Sequence, residues 1–315
     1  MQVDPSRYLD RSQLAELRKL SPLRGLGAIA WTWGWIAACF ALYAAHPSAL
    51  VVALVWPIMS GRHLALAILM HDGSHGAILR NKRANDFIGQ WFTAYPTMTD
   101  MLLYRRVHFE HHRSTWTERD PDLGLAVALP VTGRSFLRKM IRDLTGQTAY
   151  KRHRALLKYA AGSAGAERVG FLGAVKNLVV NLRGFWMTNG LMLAGATLAG
   201  IPEAYLLVWW LPALTGFQVV LRIRSIAEHA CVRDPGDPLL QTRTTLAPGW
   251  LRFLIAPHSV NYHLEHHLFM TVPHYNLKKA HRMLEAAGVL ERAEVAPSYL
   301  HVLRKAVGKH AAVAA

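Results

Sequence analysis

Between residues 25 and 61 there is no Asp, Glu, Lys or Arg, a run of 37 positions. Crossing a bilayer takes about 20 apolar residues, so the run holds one span and most of a second. His46-Pro47-Ser48 breaks it, which places span one at about 27–45 and span two at about 49–70. Charge is absent again from Gly184 to Pro202 and from Ala204 to Leu221, with Gly200-Ile201-Pro202-Glu203 at the break. That adds spans at about 184–200 and 204–224. Cysteine is nearly absent too. Cys39 falls in span one and Cys231 beyond span four, so a disulfide is not expected. Two thiols are too few for a ferredoxin or rubredoxin cluster, and no haem-binding pattern occurs. The absence of any HExxH argues against a membrane zinc protease.

Acidic residues number only 20 against 36 Lys and Arg, a net charge of +16 in a chain that is 52% hydrophobic. A soluble domain seldom combines the two; apolar spans joined by basic loops do so easily. Arg62 is the single basic residue in the interior of a span, Arg222 and Arg224 fall at the end of span four, and the two short turns carry none. The other 35 therefore fall on one side, which the positive-inside rule makes cytoplasmic. Because this charge is spread among the spans, it fits a face against anionic lipid rather than a nucleic-acid footprint. The opening MQVDPSRYLDRSQLAELRKL is polar, with Leu14, Leu17 and Leu20 along one helical side. It reads as an amphipathic helix within about 1–25, and a cleavable signal peptide is not expected.

The expected fold is thus an all-α integral membrane protein, one domain over 1–315. Four transmembrane helices form two hairpins, with a cytoplasmic helical cap from 71–183 and 225–315.

The chain has 17 histidines, and eight of them sit in three clusters: His71 and His75 in HDGSH, His108, His111 and His112 in HFEHH, and His263, His266 and His267 in NYHLEHHLF. Residues three or four apart share a helix face. HxxxH therefore aims two imidazoles one way, and HxxHH aims its first and third together with the middle one rotated. Three or four ligands satisfy one zinc, so eight converging imidazoles suit two metals. Imidazole serves zinc, iron, copper and nickel alike, which leaves the metal open. All three clusters fall just beyond the spans or beside short apolar stretches. WFTAYPTMTDMLLY reads as an interfacial helix, and PGWLRFLIAP as a piece dipping into the interface. His229 in RSIAEHA ends span four in the same position. His46, His153, His301 and His310 read as ordinary packing or surface histidines.

The boxes and their flanks, HDGSHGAILRNKRANDFIG, HFEHHRSTWTERDPDL and NYHLEHHLFMTVPHYNL, closely resemble those of the membrane fatty acid desaturase and hydroxylase superfamily, its bacterial desaturases above all. The resemblance covers about residues 65–280. It implies four spans in a bacterial inner membrane, with the termini and a two-iron site at the cytoplasmic face. It also implies dioxygen as co-substrate, a lipid-like substrate and attack on an unactivated C–H bond. Carried over by position, the eight box histidines are iron ligands, and His229 takes the place of a ninth. His63, His258 and His274 are alternatives for that ninth place. Where acyl-CoA desaturases hold a metal-bound water on Asn, this chain has Ser225, for which Asn261 or Glu228 are candidate substitutes. Asp72, Glu110 and Glu265 sit in or beside the boxes, placed to accept the second ring N–H of a ligand.

Trp31, Trp33, Trp35, Trp209 and Trp210 are candidates for interfacial belts or for the wall of a substrate channel. With no redox cluster of its own, the enzyme is expected to draw electrons from a separate ferredoxin- or cytochrome-type carrier with its reductase. The third-box flank leans toward desaturation of a fatty acyl or lipid chain. A hydroxylase or ketolase on the same scaffold is the alternative. A metal transporter or sensor is remote, because the histidines sit at one face rather than at the midplane.

Overall fold

The computed structural model describes residues 4–162 and 169–308; His310 lies outside them. The helices that build it are α1 (Arg11–Leu17), α2 (Pro22–Ala45), α3 (Ala49–Ser74), α4 (Lys82–Gly89), α5 (Met101–Ser114), α6 (Gly133–Leu144), α7 (Gln147–Ala160), α8 (Phe171–Asn181) and α9 (Arg183–Leu198). After them come α10 (Tyr205–His229, opening in wide π-type turns), α11 (Gly249–Ile255), α12 (His263–Leu268), α13 (His274–Ala286) and α14 (Tyr299–Ala306). Short helical turns link several of these.

Three helices, α2, α3 and α10, are long and apolar enough to cross a membrane. The first hairpin falls where the charge-free run breaks. Pro47 cannot continue a helix, and the Ser48 side chain accepts from Val51 N at 3.3 Å to cap α3. Ile36, Cys39 and Tyr43 of α2 then pack against Val51, Val55 and Met59 of α3 and Val208 and Trp209 of α10. From Met59 to Ser74 nearly every residue of α3 is buried, as befits a central helix, with Arg62, His63, His71 and Asp72 among them. Two glycines let neighbours approach it. A Cβ on Gly61 would lie 2.5 Å from the Leu254 carbonyl oxygen of α11, and one on Gly216 would lie 2.2 Å from Ser60 Oγ.

The segment expected as span three forms α9, which has only 16 residues and is about 24 Å long. That is shorter than the other three. Gly200, at φ +75°, ends the turn after it and leads into α10. Leu191 and Leu198 are 74% and 90% exposed, an apolar outer surface such as lipid covers.

The stretch expected as one interfacial helix, 91–104, is instead broken. It runs through a π-type turn and a 3₁₀ turn, then stops at Met98 in the left-handed region (φ 58°). The Asp100 side chain accepts from Leu103 N at 2.8 Å and starts α5 afresh. α1 packs inward as a cap element: Leu14 and Leu17 join Leu277, Ala280 and Leu284 of α13 in one apolar cluster. The only strands among the described residues are Thr244–Thr245 and Val295–Ala296, paired in parallel, with Thr244 also bridging to Tyr262.

Candidate metal centre

α3 and α10 run side by side, and their C-terminal ends deliver His71, His75 and His229 to one end of the molecule. α5 and α12 bring the other two boxes to the same place. The nine histidines form two groups, each with ligating atoms within 4.8 Å of one another. One group is His71, His75, His108, His112 and His266; the other is His111, His229, His263 and His267. Within each HxxHH the i,i+4 pair stays together, as helix geometry dictates, and the middle histidine crosses to the other group. His108 and His112 thus belong to the first group and His111 to the second, while His263 and His267 belong to the second and His266 to the first.

The ring nitrogens face one another. In the first group His112 Nε2 lies 3.0 Å from both His108 Nε2 and His266 Nε2, and His108 Nε2 lies 3.1 Å from His75 Nε2. In the second, His263 Nε2 is 2.8 Å from His229 Nε2 and 3.1 Å from His267 Nε2. Nitrogens about 2 Å from one ion lie about 3 Å from each other. His71 Nε2 is buried and has no hydrogen-bond partner in the protein, a costly arrangement that a cation would relieve. Burial first, then neighbouring imidazoles, holds His108, His112, His263, His266 and His267 well below the usual histidine pKa. They are therefore neutral, the form that binds metal. The two groups fit a pair of metal ions.

The alternatives for the ninth position lie elsewhere. His63 holds Met59 O through Nδ1 at 2.8 Å, His258 meets Thr32 Oγ1 at 2.9 Å, and His274 Nδ1 meets Asp72 Oδ2 at 2.7 Å. Of the carboxylates placed beside the boxes, Asp72 Oδ1 is 3.8 Å from His71 Nδ1, while its other oxygen accepts from His274. It fastens α3 to α13. Glu228 Oε1 lies 3.5 Å from His263 Nδ1 and pairs with Arg224.

The remaining three make their contacts away from the box histidines. Glu265 takes Thr244 Oγ1 on one oxygen and His281 Nδ1 at 2.5 Å on the other. Glu110 lines a surface groove with Arg113 and Glu118, because a residue two or one positions away on a helix points off the histidine face. Asn261 donates to Thr245 O at 3.1 Å, clasping the short strand.

Sequence reasoning missed three anchors. His111 Nδ1 bonds Asp120 Oδ1 at 2.8 Å. Burial would raise the Asp120 pKa, but the His111 bond and two backbone N–H donors carry it below the ordinary value. The DPDL tail was the available signal. Arg105 donates to Ser74 O at 2.7 Å and Gly73 O at 3.0 Å while pairing with Asp86, and Asn85 donates to Gly73 O at 2.9 Å. The Asn-Asp after box one thus holds the end of α3. Fully buried Arg243 donates to Ala230 O and Cys231 O, both at 3.0 Å, and pairs with Glu294. It fixes the end of α10 behind His229.

A cavity of about 240 Å³ runs between α3 and α10 and reaches His71, with Ile68, Trp209, Trp210, Phe217 and Leu221 in its wall. Trp33 instead donates to Phe92 O at 2.8 Å, Trp35 packs edge-on to Phe253, and Trp31 is exposed.

Nine histidines that could hold two metal ions thus sit at one end of three helices long and apolar enough to cross a membrane. The fatty acid desaturase family model matches residues 44–297, and the chain belongs to that family. Among curated relatives, dihydrorhizobitoxine desaturase of Bradyrhizobium elkanii is 27% identical, over 89% of this chain and 80% of the relative. The sn-1 oleoyl-lipid 12-desaturase of a Picosynechococcus strain is 22% identical, over 85% and 78%. Zeaxanthin 4-ketolase of Chlamydomonas reinhardtii is 26% identical, over 76% of this chain and 46% of that protein.

Proposed function

We propose that this protein is an integral membrane, oxygen-dependent oxidoreductase that desaturates the acyl chain of a fatty acid or lipid. The observation that carries this reading is the position of His71. It belongs to the five-histidine group and also borders the cavity between α3 and α10. A chain lying in that cavity meets the metal centre at its inner end. The nine histidines would hold two irons, which supply the activation of dioxygen needed to break an unactivated C–H bond. Of the protein's own residues, the buried histidines present neutral rings, Asp120 orients His111, and Trp209, Trp210 and Phe217 line the approach to His71. In this reading α9 is a short fourth span. The histidine end and both termini are cytoplasmic in the inner membrane of a bacterium, where the basic face receives an acidic electron carrier.

The ketolase relatives favour a second outcome on the same scaffold, insertion of oxygen into a lipid-like substrate. The two are separated by mass spectrometry of lipids from cells with and without the protein, grown under labelled dioxygen. Loss of two hydrogens without label establishes a desaturase. Uptake of label establishes a hydroxylase or ketolase, and unchanged lipids would overturn the lipid oxidoreductase reading.

A further inference from the structure

The cavity wall is mixed, with Arg152, His153, Gln218 and Arg224 beside its apolar residues, and apart from His71 at the metal end it carries two ring nitrogens, on His63 and Trp209, that nothing in the protein satisfies. His63 is 2% exposed and Trp209 is not exposed at all. His63 spends Nδ1 on the Met59 carbonyl at 2.8 Å, and its Nε2 is left without a partner. Trp209 Nε1 has none either, and the two rings lie 4.2 Å apart between centroids. Both side chains line the same cavity as His71. A buried polar atom without a partner is costly, and a polar side chain deep in a membrane-spanning helix is a functional-site signal. A purely structural histidine here would be expected to find a second partner or give way to Leu or Phe.

From these atoms we infer that the substrate is not a plain hydrocarbon tail: it carries an oxygen function that hydrogen-bonds to His63 and Trp209 deep in the cavity. His63 lies eight residues before His71 on α3, so this contact sits about 12 Å along the helix from the metal end. The Met59 carbonyl only accepts, so the ring proton sits on Nδ1 and Nε2 accepts; with the indole N–H as donor, the pair suits a hydroxyl, which donates to one and accepts from the other. The pair then fixes how far the chain enters, and hence which carbon faces His71. It is a specificity device, separate from the metal ligands. The inference rests on the proposed acyl-chain substrate.

Binding tests it without turnover. The full-length protein in nanodiscs is loaded with tritiated stearic acid, which is displaced by unlabelled stearic acid and by a series of monohydroxystearic acids. One hydroxyl position is expected to bind about tenfold tighter than stearic acid. Trp209→Phe, which keeps the ring and removes the N–H, should cut that preference several-fold. His63→Phe should bring the ratio close to one, and His63→Gln should keep part of it. Stearic acid binding with no hydroxyl position preferred would overturn the inference and leave the acyl reading standing. So would a preference that survives His63→Phe, as when a resident water satisfies both atoms. Failure of stearic acid itself to bind would overturn the acyl reading, and this inference with it.

Discussion

His111 Nδ1 donates to Asp120 Oδ1 at 2.8 Å, and that single bond decides which nitrogen of the ring is free. A carboxylate only accepts, so the proton sits on Nδ1 and Nε2 keeps its lone pair for the group shared with His229, His263 and His267. Carboxylate partners of this kind are worth 10–100-fold in metal affinity. Asp120→Ala should weaken metal retention at the four-histidine group by about that factor, measured as metal content against a chelator series. Asp120→Asn keeps one acceptor oxygen for His111 Nδ1 but turns its NH2 toward the Trp116 N–H that Asp120 Oδ2 accepts at 2.9 Å, so it should lose less than the alanine variant without matching wild type. Equal retention in wild type and Asp120→Ala would show that the bond does not tune the site.

The crossing of the middle histidines gives a prediction about neighbours in sequence. His266 and His267 are adjacent yet belong to different groups. His266→Ala should empty the five-histidine group and His267→Ala the four-histidine group. Metal per chain, by elemental analysis, should fall from about two toward one in each single variant and toward zero in the double. A wild-type protein that is active with one zinc would remove the two-iron reading outright.

That crossing also marks what the sequence could and could not tell. The spacing HxxHH shows that His108 pairs with His112, and His263 with His267, because helix geometry is local. Which pair shares an ion with His71 or His229 depends on how α3, α5, α10 and α12 meet, and nothing local encodes that. The hairpin at Pro47-Ser48 was legible because Ser48 caps the next helix and Pro47 stops the last one. Asp120 was not, since its reach to His111 depends on a turn through Trp116 at φ 65°. The contacts of Glu110 and Glu265 were not legible, for the converse reason. Adjacency in sequence put them beside histidines, while one or two helix steps turned their side chains away.

Acid should act on the metal-free protein through the same imidazoles. His108, His112, His263, His266 and His267 lie well below 6.5 in the fold, because burial penalises their charged form. Unfolded, they protonate near 6.5. Below that pH the unfolded chain binds more protons than the folded one, so stability falls as pH falls and rises again as pH is raised. Asp120 has the same sign in a lower window. Its lowered pKa adds stability above about 3.8 that is lost only below it, outside this window. The Tm of the metal-stripped protein should drop by at least several degrees between about pH 7.5 and 5.5. A flat profile would mean that the histidines are not buried neutral.

Arg243 offers a test of how the second group is held in place. Its guanidinium is fully buried and reaches Ala227 O, Ala230 O and Cys231 O, the carbonyls at the end of α10, while Glu294 pairs with it at 3.2 Å. Those carbonyls have no helical partners, and the negative end of the helix favours a cation. Removing the arginine takes the side-chain donor from Ala230 O and Cys231 O, leaves Ala227 O with Thr245 Oγ1 alone, and leaves Glu294 dependent on the half-exposed Arg233 and on Lys305. Breaking a buried pair from one side costs about 3–5 kcal/mol, so Arg243→Ala should lower Tm markedly. It should also loosen His229, and with it metal at the four-histidine group before the five-histidine group. Arg243→Lys keeps the charge but cannot fan three donors across three carbonyls, so it should recover only part of the loss. If Arg243→Ala melted like wild type and kept both metals, the end of α10 would need no such support.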